Sequence, residues 1–306
     1  MLLQITHETT YRYQPPVETA RHVAHLTPLN GPCQHTLGHR LQLDPEPVPA
    51  DFRQHQDALG NTVTHWALTQ SHQTLRVVAV SQVRTRSLPP AASVMPWEAA
   101  RAHYRYHSAQ PQDPESAFVF ASHHVPRHAD FVQFAATWFE PDRPLVSAAL
   151  ALMQGMHQQL RYESHSTDIH TPALEALHAR RGVCQDFSHI LLACLRSLGL
   201  SARYVSGYLR TQPAPGQVAL VGSDASHAWV ALHVPDARGH ESGGWLHLDP
   251  TNGLADWGNP SPSHVQLATG RDFSDVSPLR GVLHGGASHT LQVGVTVEAL
   301  PDPGES

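Results

Sequence analysis

GVCQDFSHILLACLRSLGL, Gly182 to Leu200, decides how this chain is read. Phe187, Ile190, Leu191, Cys194, Leu195 and Leu198 recur three or four apart. That is the spacing of one apolar face of an α-helix. Gly199 follows the last apolar turn, where a helix C-terminus favours glycine. Cys184 therefore falls at or just inside the N-terminus of a buried helix. There, unpaired backbone N–H groups and the positive end of the helix dipole favour a thiolate. The same N–H groups can stabilise an oxyanion on an attacked carbonyl. Cys194 lies on the apolar face and reads as packing.

Two later stretches, SHAWVALHV (Ser226 to Val234) and WLHLDPTNG (Trp245 to Gly253), read as strands. They offer His227 as a base for the thiol and Asp249 as the carboxylate that orients its ring. His189 competes as base, but it is five positions from Cys184, about 500° around the helix, so the two side chains diverge. His233 shares the strand face of His227 yet lies roughly 20 Å further along. Asp186 is a caution: a carboxylate suits the helix start but opposes a nearby thiolate, so it caps the helix or binds polar groups of a substrate. Trp229 is a second substrate-binding candidate. Pattern alone leaves Cys184 open between nucleophile and structural thiol, and Asp249 open between triad member and solvated turn residue.

The rest of the chain narrows the choice. Its 306 residues suggest about two domains. Hydrophobic residues at 41% and charged residues at 15% are ordinary for a globular protein with a sizeable core. A net charge of −6 without a basic run argues against a nucleic-acid partner. No apolar stretch has membrane-spanning length, which argues against a membrane partner, and MLLQITHETTYRY lacks the features of a signal peptide. Three cysteines, Cys33, Cys184 and Cys194, form no disulfide framework and suit a reducing, cytoplasmic setting. No HExxH or CxxC occurs among the 25 histidines and three cysteines, so the motifs support no metal or other cofactor.

In order, residues 1–90 read as an N-terminal β-sandwich-like domain of short strands and turns. SLPPAASVMP, Ser87 to Pro96, reads as a linker. Residues 91–160 read as a helical part, with a Leu and Met packing stripe from Leu145 to Leu160. The core then spans 161–306. TPALEALHARR reads as a short helix capped by Thr171 with Pro172 at its first position. After the Cys184 helix come the strand SARYVSGYLRT, the loop QPAPGQ, and the His227 and Asp249 strands joined by DARGHESGG. A long loop is expected from Gly253 to about Gly270, and VGVTV is a last strand. Helix first and antiparallel strands after is an α+β, papain-like order, not a βαβ repeat.

Three blocks together, RRGVCQDFSHILLACLRSLGLSARYVSGYL, DASHAWVALHV and GWLHLDPTNG, resemble the bacterial transglutaminase-like proteins of the transglutaminase-like cysteine superfamily. They occur in family order, Cys, His, Asp. The N-terminal region is similar to the β domain that precedes the core in such proteins, and TGRDFSDVSPLRGVLHGG to their C-terminal segment. The resemblance implies catalytic roles for Cys184, His227 and Asp249 and acyl transfer from a carboxamide or peptide carbonyl through a thioester, with a protein or peptide as substrate. It implies no cofactor, and no acidic loop supports calcium activation. Superfamily members include cross-linkers, amidases and proteases, so a cysteine protease with the same triad is an alternative, and a binding scaffold that has lost turnover is another. All 20 basic residues other than His are Arg. A Gln-to-Lys cross-linker of this composition is not expected to link itself through its own side chains.

Overall fold

A computed structural model describes residues 1–106, 108, 113–164, 166–211, 225–286 and 288–301. The loop expected at QPAPGQ (212–217) lies outside the described residues. Five strands open the chain: β1 (Leu2–Ala24), β2 (Gln34–Asp44), β3 (Phe52–Gln56), β4 (Thr62–Leu68) and β5 (His72–Thr85). β1 alternates: Leu3, Ile5, His7 and Thr9 are buried, and the residues between them are partly exposed. That period of two puts one face on a core. The sheet order is β2-β5-β1-β4-β3.

The helical part follows, with α1 (Trp97–His103), α2 (Ala129–Ala136) and α3 (Leu145–Gln159). A short parallel pair, β6 (Arg161–Tyr162) and β7 (Arg181–Gly182), flanks α4 (Ala173–Ala179). α4 begins one residue later than the sequence suggested. Pro172 occupies the cap position, and the Thr171 hydroxyl is turned to Asp168 instead. α5 (Cys184–Ser197) ends in a Schellman arrangement: Leu200 N–H donates to Leu195 O and Gly199 N–H to Arg196 O. Gly199 takes φ +81°, which is why glycine stands there.

α5 packs on an antiparallel sheet ordered β11-β10-β9-β8-β12. Its strands are β8 (Ala202–Leu209), β9 (Ala225–His233), β10 (Trp245–Asp249), β11 (Leu254–Trp257) and β12 (His264–Gly270). The helix is buried nearly all round, not along one stripe, because α2 and α4 cover its outer side. Its buried arginine is satisfied inside. The Arg196 guanidinium donates to Ala202 O, Arg271 O and Ser122 Oγ, tying the helix end to β8 and two connections.

Two expectations need correction. Residues 253–270 are not a long loop but carry β11 and β12; Gly258, Asn259, Pro260 and Pro262 sit between two short strands and mask them. The C-terminal strands also do not belong to the core sheet. After the short α6 (Phe273–Val276), β13 (Leu279–Gly285) and β14 (Ser288–Leu300) both pair with β1 and complete the N-terminal sheet. The chain thus returns to the sheet of its first domain.

The two sheets meet along β12 and β8. His7 Nδ1 and Tyr208 Oη are 2.8 Å apart in a buried contact. The free edge of β12 is closed by side-chain amides. Gln34 Nε2 donates to Gln266 O at 2.9 Å, and Gln266 N–H donates to Gln34 Oε1 at 2.7 Å. Asn61 makes the same pair of bonds with Thr269. An exposed strand edge is unsatisfied backbone, and these amides substitute for a neighbouring strand.

Candidate active site

Cys184 is the first residue of α5, after Val183 at the cap. The first helical bond runs from Phe187 N–H to Val183 O, so the Cys184 N–H has no acceptor inside the helix. The Cys184 side chain is half-buried, while Cys33 and Cys194 are buried. Burial pushes the Cys33 thiol up to about 11 and the Cys194 thiol higher still.

Asp186 settles into the capping role. Its Oδ2 accepts from Val183 N–H at 2.8 Å and from Thr167 Oγ1 at 2.6 Å. It is 1% exposed, so it presents no surface to a substrate. Burial raises its carboxyl above the usual range against the pull of those two bonds.

His227 lies on β9 opposite Gly207 of β8. Its Nε2 is 2.8 Å from Asp249 Oδ2. The Cys184 thiol is near enough to the ring to add to the pull on its charge. Burial works against an imidazolium here. The bonds to Asp249 and Cys184, and the negative charge of both, outweigh it and raise His227 to about 10. Asp249 ends β10 and is fully buried. Burial disfavours its charge, but hydrogen bonds from His227, His264 and Asn252 hold its carboxyl well below the usual range.

Asp249 is saturated with donors. Oδ1 accepts from the N–H groups of Thr251 and Asn252 at 3.0 and 3.2 Å. Oδ2 takes Asn252 Nδ2 at 2.7 Å, His227 at 2.8 Å and His264 Nε2 at 3.0 Å. The DPTNG turn therefore carries three of the five donors that fix the carboxylate. Sequence reasoning missed Asn252 as a contact and placed His264 in a loop. The signal for Asn252 was its position three residues after Asp249, where an Asx-type turn folds back.

The ligating atoms of His227, Asp249 and His264 lie within 4.8 Å of one another. Hydrogen bonding accounts for that closeness. The Asn252 amide N–H points at the same carboxylate oxygen, the wrong polarity for the neighbour of a cation.

Trp229 is fully buried and does not reach a substrate. Its Nε1 donates to His247 Nδ1 at 2.8 Å, and its ring lies 6.0 Å from that of His227. A Cβ on Gly207 would stand 2.5 Å from the indole and 2.1 Å from Val265 O, so Gly207 is what lets the tryptophan lie flat behind His227. His189 is turned into the core: its Nε2 accepts from Phe273 N–H and its ring stacks on His124. Burial pushes it down to about 3. His233 is occupied by Tyr104 Oη at 2.6 Å. Of the histidines on β9 and on α5, His227 alone meets Cys184 and Asp249 together.

The chain is similar to known proteins over most of its length. Residues 3–84 match the family model of the bacterial transglutaminase-like N-terminal region, and residues 132–250 that of the transglutaminase-like superfamily. An uncharacterized protein of Mycobacterium tuberculosis is 37% identical over 310 residues, covering 99% of this chain and 94% of its own length. One of Mycobacterium leprae is 32% identical over 303 residues, covering 97% and 99%. A crystal structure of a candidate cysteine protease from Cytophaga hutchinsonii shares the fold, with a TM-score of 0.73 at 20% identity over 99% of this chain and 91% of that one. With the β domain, the helix-borne cysteine and the strand-borne histidine and aspartate in place, the chain belongs to the bacterial transglutaminase-like proteins of the transglutaminase-like superfamily.

Proposed function

We propose that this protein is a thiol acyltransferase or amidohydrolase acting on carboxamide or peptide carbonyls of a protein or peptide. The observation that carries the reading is the shared contact of His227 with Cys184 on one side and Asp249 on the other. Cys184 sulfur attacks the carbonyl carbon, and the oxygen takes the negative charge beside the Cys184 N–H. The C–N bond then breaks, and the nitrogen leaves as ammonia or amine with the proton held by His227. An amine or water gives its proton back to His227 and attacks the thioester, which frees Cys184. Asp249 keeps the ring aimed throughout. A reducing compartment, the cytoplasm, is part of the same proposal, because the nucleophile must stay a thiol.

The test is a product assay on Gln-containing proteins and peptides, with and without a primary amine, against Cys184→Ala. Ammonia release or amine incorporation that disappears in the variant is the expected result. New chain termini lost in the variant would assign peptide hydrolysis to the same cysteine. Products that persist in Cys184→Ala would contradict the reading.

A further inference from the structure

We propose that His264 is a positioning residue of this site: it fixes the Asp249 carboxylate so that Asp249 can hold the His227 ring toward Cys184. The inference rests on the acyl-transfer reading above. His264 is fully buried, yet both ring nitrogens are used. Nε2 lies 3.0 Å from Asp249 Oδ2, and Nδ1 lies 2.9 Å from Ser261 Oγ. A carboxylate accepts only, so Nε2 carries the proton, and Nδ1 accepts the Ser261 hydroxyl proton. The pair of contacts fixes one neutral tautomer. The edge of the Trp229 ring system packs against the imidazole, with centroids 5.2 Å apart at 77°.

Electrostatics favour that neutral form. The ionisable groups facing His264 are Asp249 and His247 of β10 and His227 of β9, with Cys184 of α5 beyond His227. Burial lowers His264, the attraction of Asp249 works the other way, and the positive charge of His227 lowers it further. One imidazole on Asp249 can therefore be charged while the other stays a neutral donor. A carboxylate held by one ring alone would be free to swing; held by two rings and a turn, it has one orientation.

β12 supplies the rigidity behind His264. The strand is fully buried, and its edge is clamped by Gln34 and Asn61 of the N-terminal domain. The N-terminal domain thus supports the strand that supports Asp249. This gives that domain a part in the reaction without touching a substrate.

The experiment measures iodoacetamide alkylation of Cys184 in the full chain, followed by peptide mapping, for wild type, His264→Leu, His264→Gln, Ser261→Ala and His227→Ala. Alkylation needs no substrate and reads the state of the thiol. His264→Leu is expected to slow it about tenfold at neutral pH, the low end for loss of a supporting hydrogen bond. His264→Gln, whose amide N–H can reach Asp249, is expected to recover most of that loss, which a volume effect alone would not produce. Ser261→Ala removes only the hydroxyl that sets the tautomer and is expected to slow labelling about threefold. A folded His264→Leu that labels at the wild-type rate would overturn the proposal. Should His264→Leu fail to fold, an unchanged rate in Ser261→Ala would overturn it. If instead wild type labels no faster than His227→Ala, the acyl-transfer reading itself falls, and the two failures are told apart.

Discussion

Asn61 of the N-terminal domain and Thr269 of β12 are joined at two points: Asn61 Nδ2 donates to Thr269 O at 2.9 Å, and Thr269 N–H donates to Asn61 Oδ1 at 2.8 Å. Asn61 is fully buried and also donates to Asp57 at 2.8 Å. Asn61→Ala leaves buried backbone groups of Thr269 without partners. At about 1–3 kcal/mol for an unsatisfied buried group, a loss of about 2–3 kcal/mol is expected. Urea unfolding checks it, and the midpoint should fall with no change in slope. A shift under about 0.5 kcal/mol would mean that the clamp on β12 contributes nothing.

Gly207 is a second point where the account is exposed. An alanine methyl there meets the backbone oxygen of Val265 at 2.1 Å and the Trp229 indole at 2.5 Å. A backbone atom cannot rotate away, so β8 and β12 must part. Overpacking of this kind costs about 1–3 kcal/mol. Gly207→Ala is expected to lower the melting temperature by several degrees and to slow turnover through displacement of Trp229 behind His227. A variant with wild-type melting and activity would contradict the packing described.

Stability should depend on pH in a stated direction. His227 is raised to about 10 in the folded protein, above its ordinary value near 6.5. Its contribution is therefore complete below about pH 6.5 and is lost as pH rises through about 10. Asp249 is shifted the other way, so its contribution is present above an ordinary carboxyl value of about 3.9 and is lost as pH falls through its lower folded value. Thermal melts from pH 6 to 10.5 are expected to show a decline in wild type that is reduced in His227→Ala. Parallel curves would count against the charged pair.

Asp249→Asn keeps the shape of the side chain and removes its charge. The imidazolium of His227 loses its buried counter-ion, and a carboxamide can offer an N–H where an acceptor is needed. In the Ser-His-Asp template the equivalent change costs about 10⁴ in kcat. A loss of at least about 10² is expected here in ammonia release or amine incorporation. Retention of most activity would move the orienting role elsewhere.

Much of this site is legible in the amino-acid sequence, because its three parts lie in short regular elements. The apolar spacing from Phe187 to Leu198 marks α5 and so places Cys184 at a helix start. His227 and Asp249 lie on strands that short apolar runs mark in the sequence. What is not legible is contact between distant segments. His264 falls among turn residues that hide β12, and its value to the site lies in meeting Asp249 from a strand two places away from β9 in the sheet. The pairing of β13 and β14 with β1 escapes for the same reason: local pattern gives a strand but not its partner. Trp229 shows the opposite error, since a tryptophan two residues from His227 invites a substrate role that its complete burial denies.

The most direct test of the central claim is the rate of Cys184 alkylation against pH in wild type and in His227→Ala. Wild type is expected to label faster than His227→Ala at neutral pH, with a change near pH 10 where His227 releases its proton. Without the imidazole, labelling should be slower and the change near pH 10 should be absent. Coincident curves for the two proteins would contradict the account.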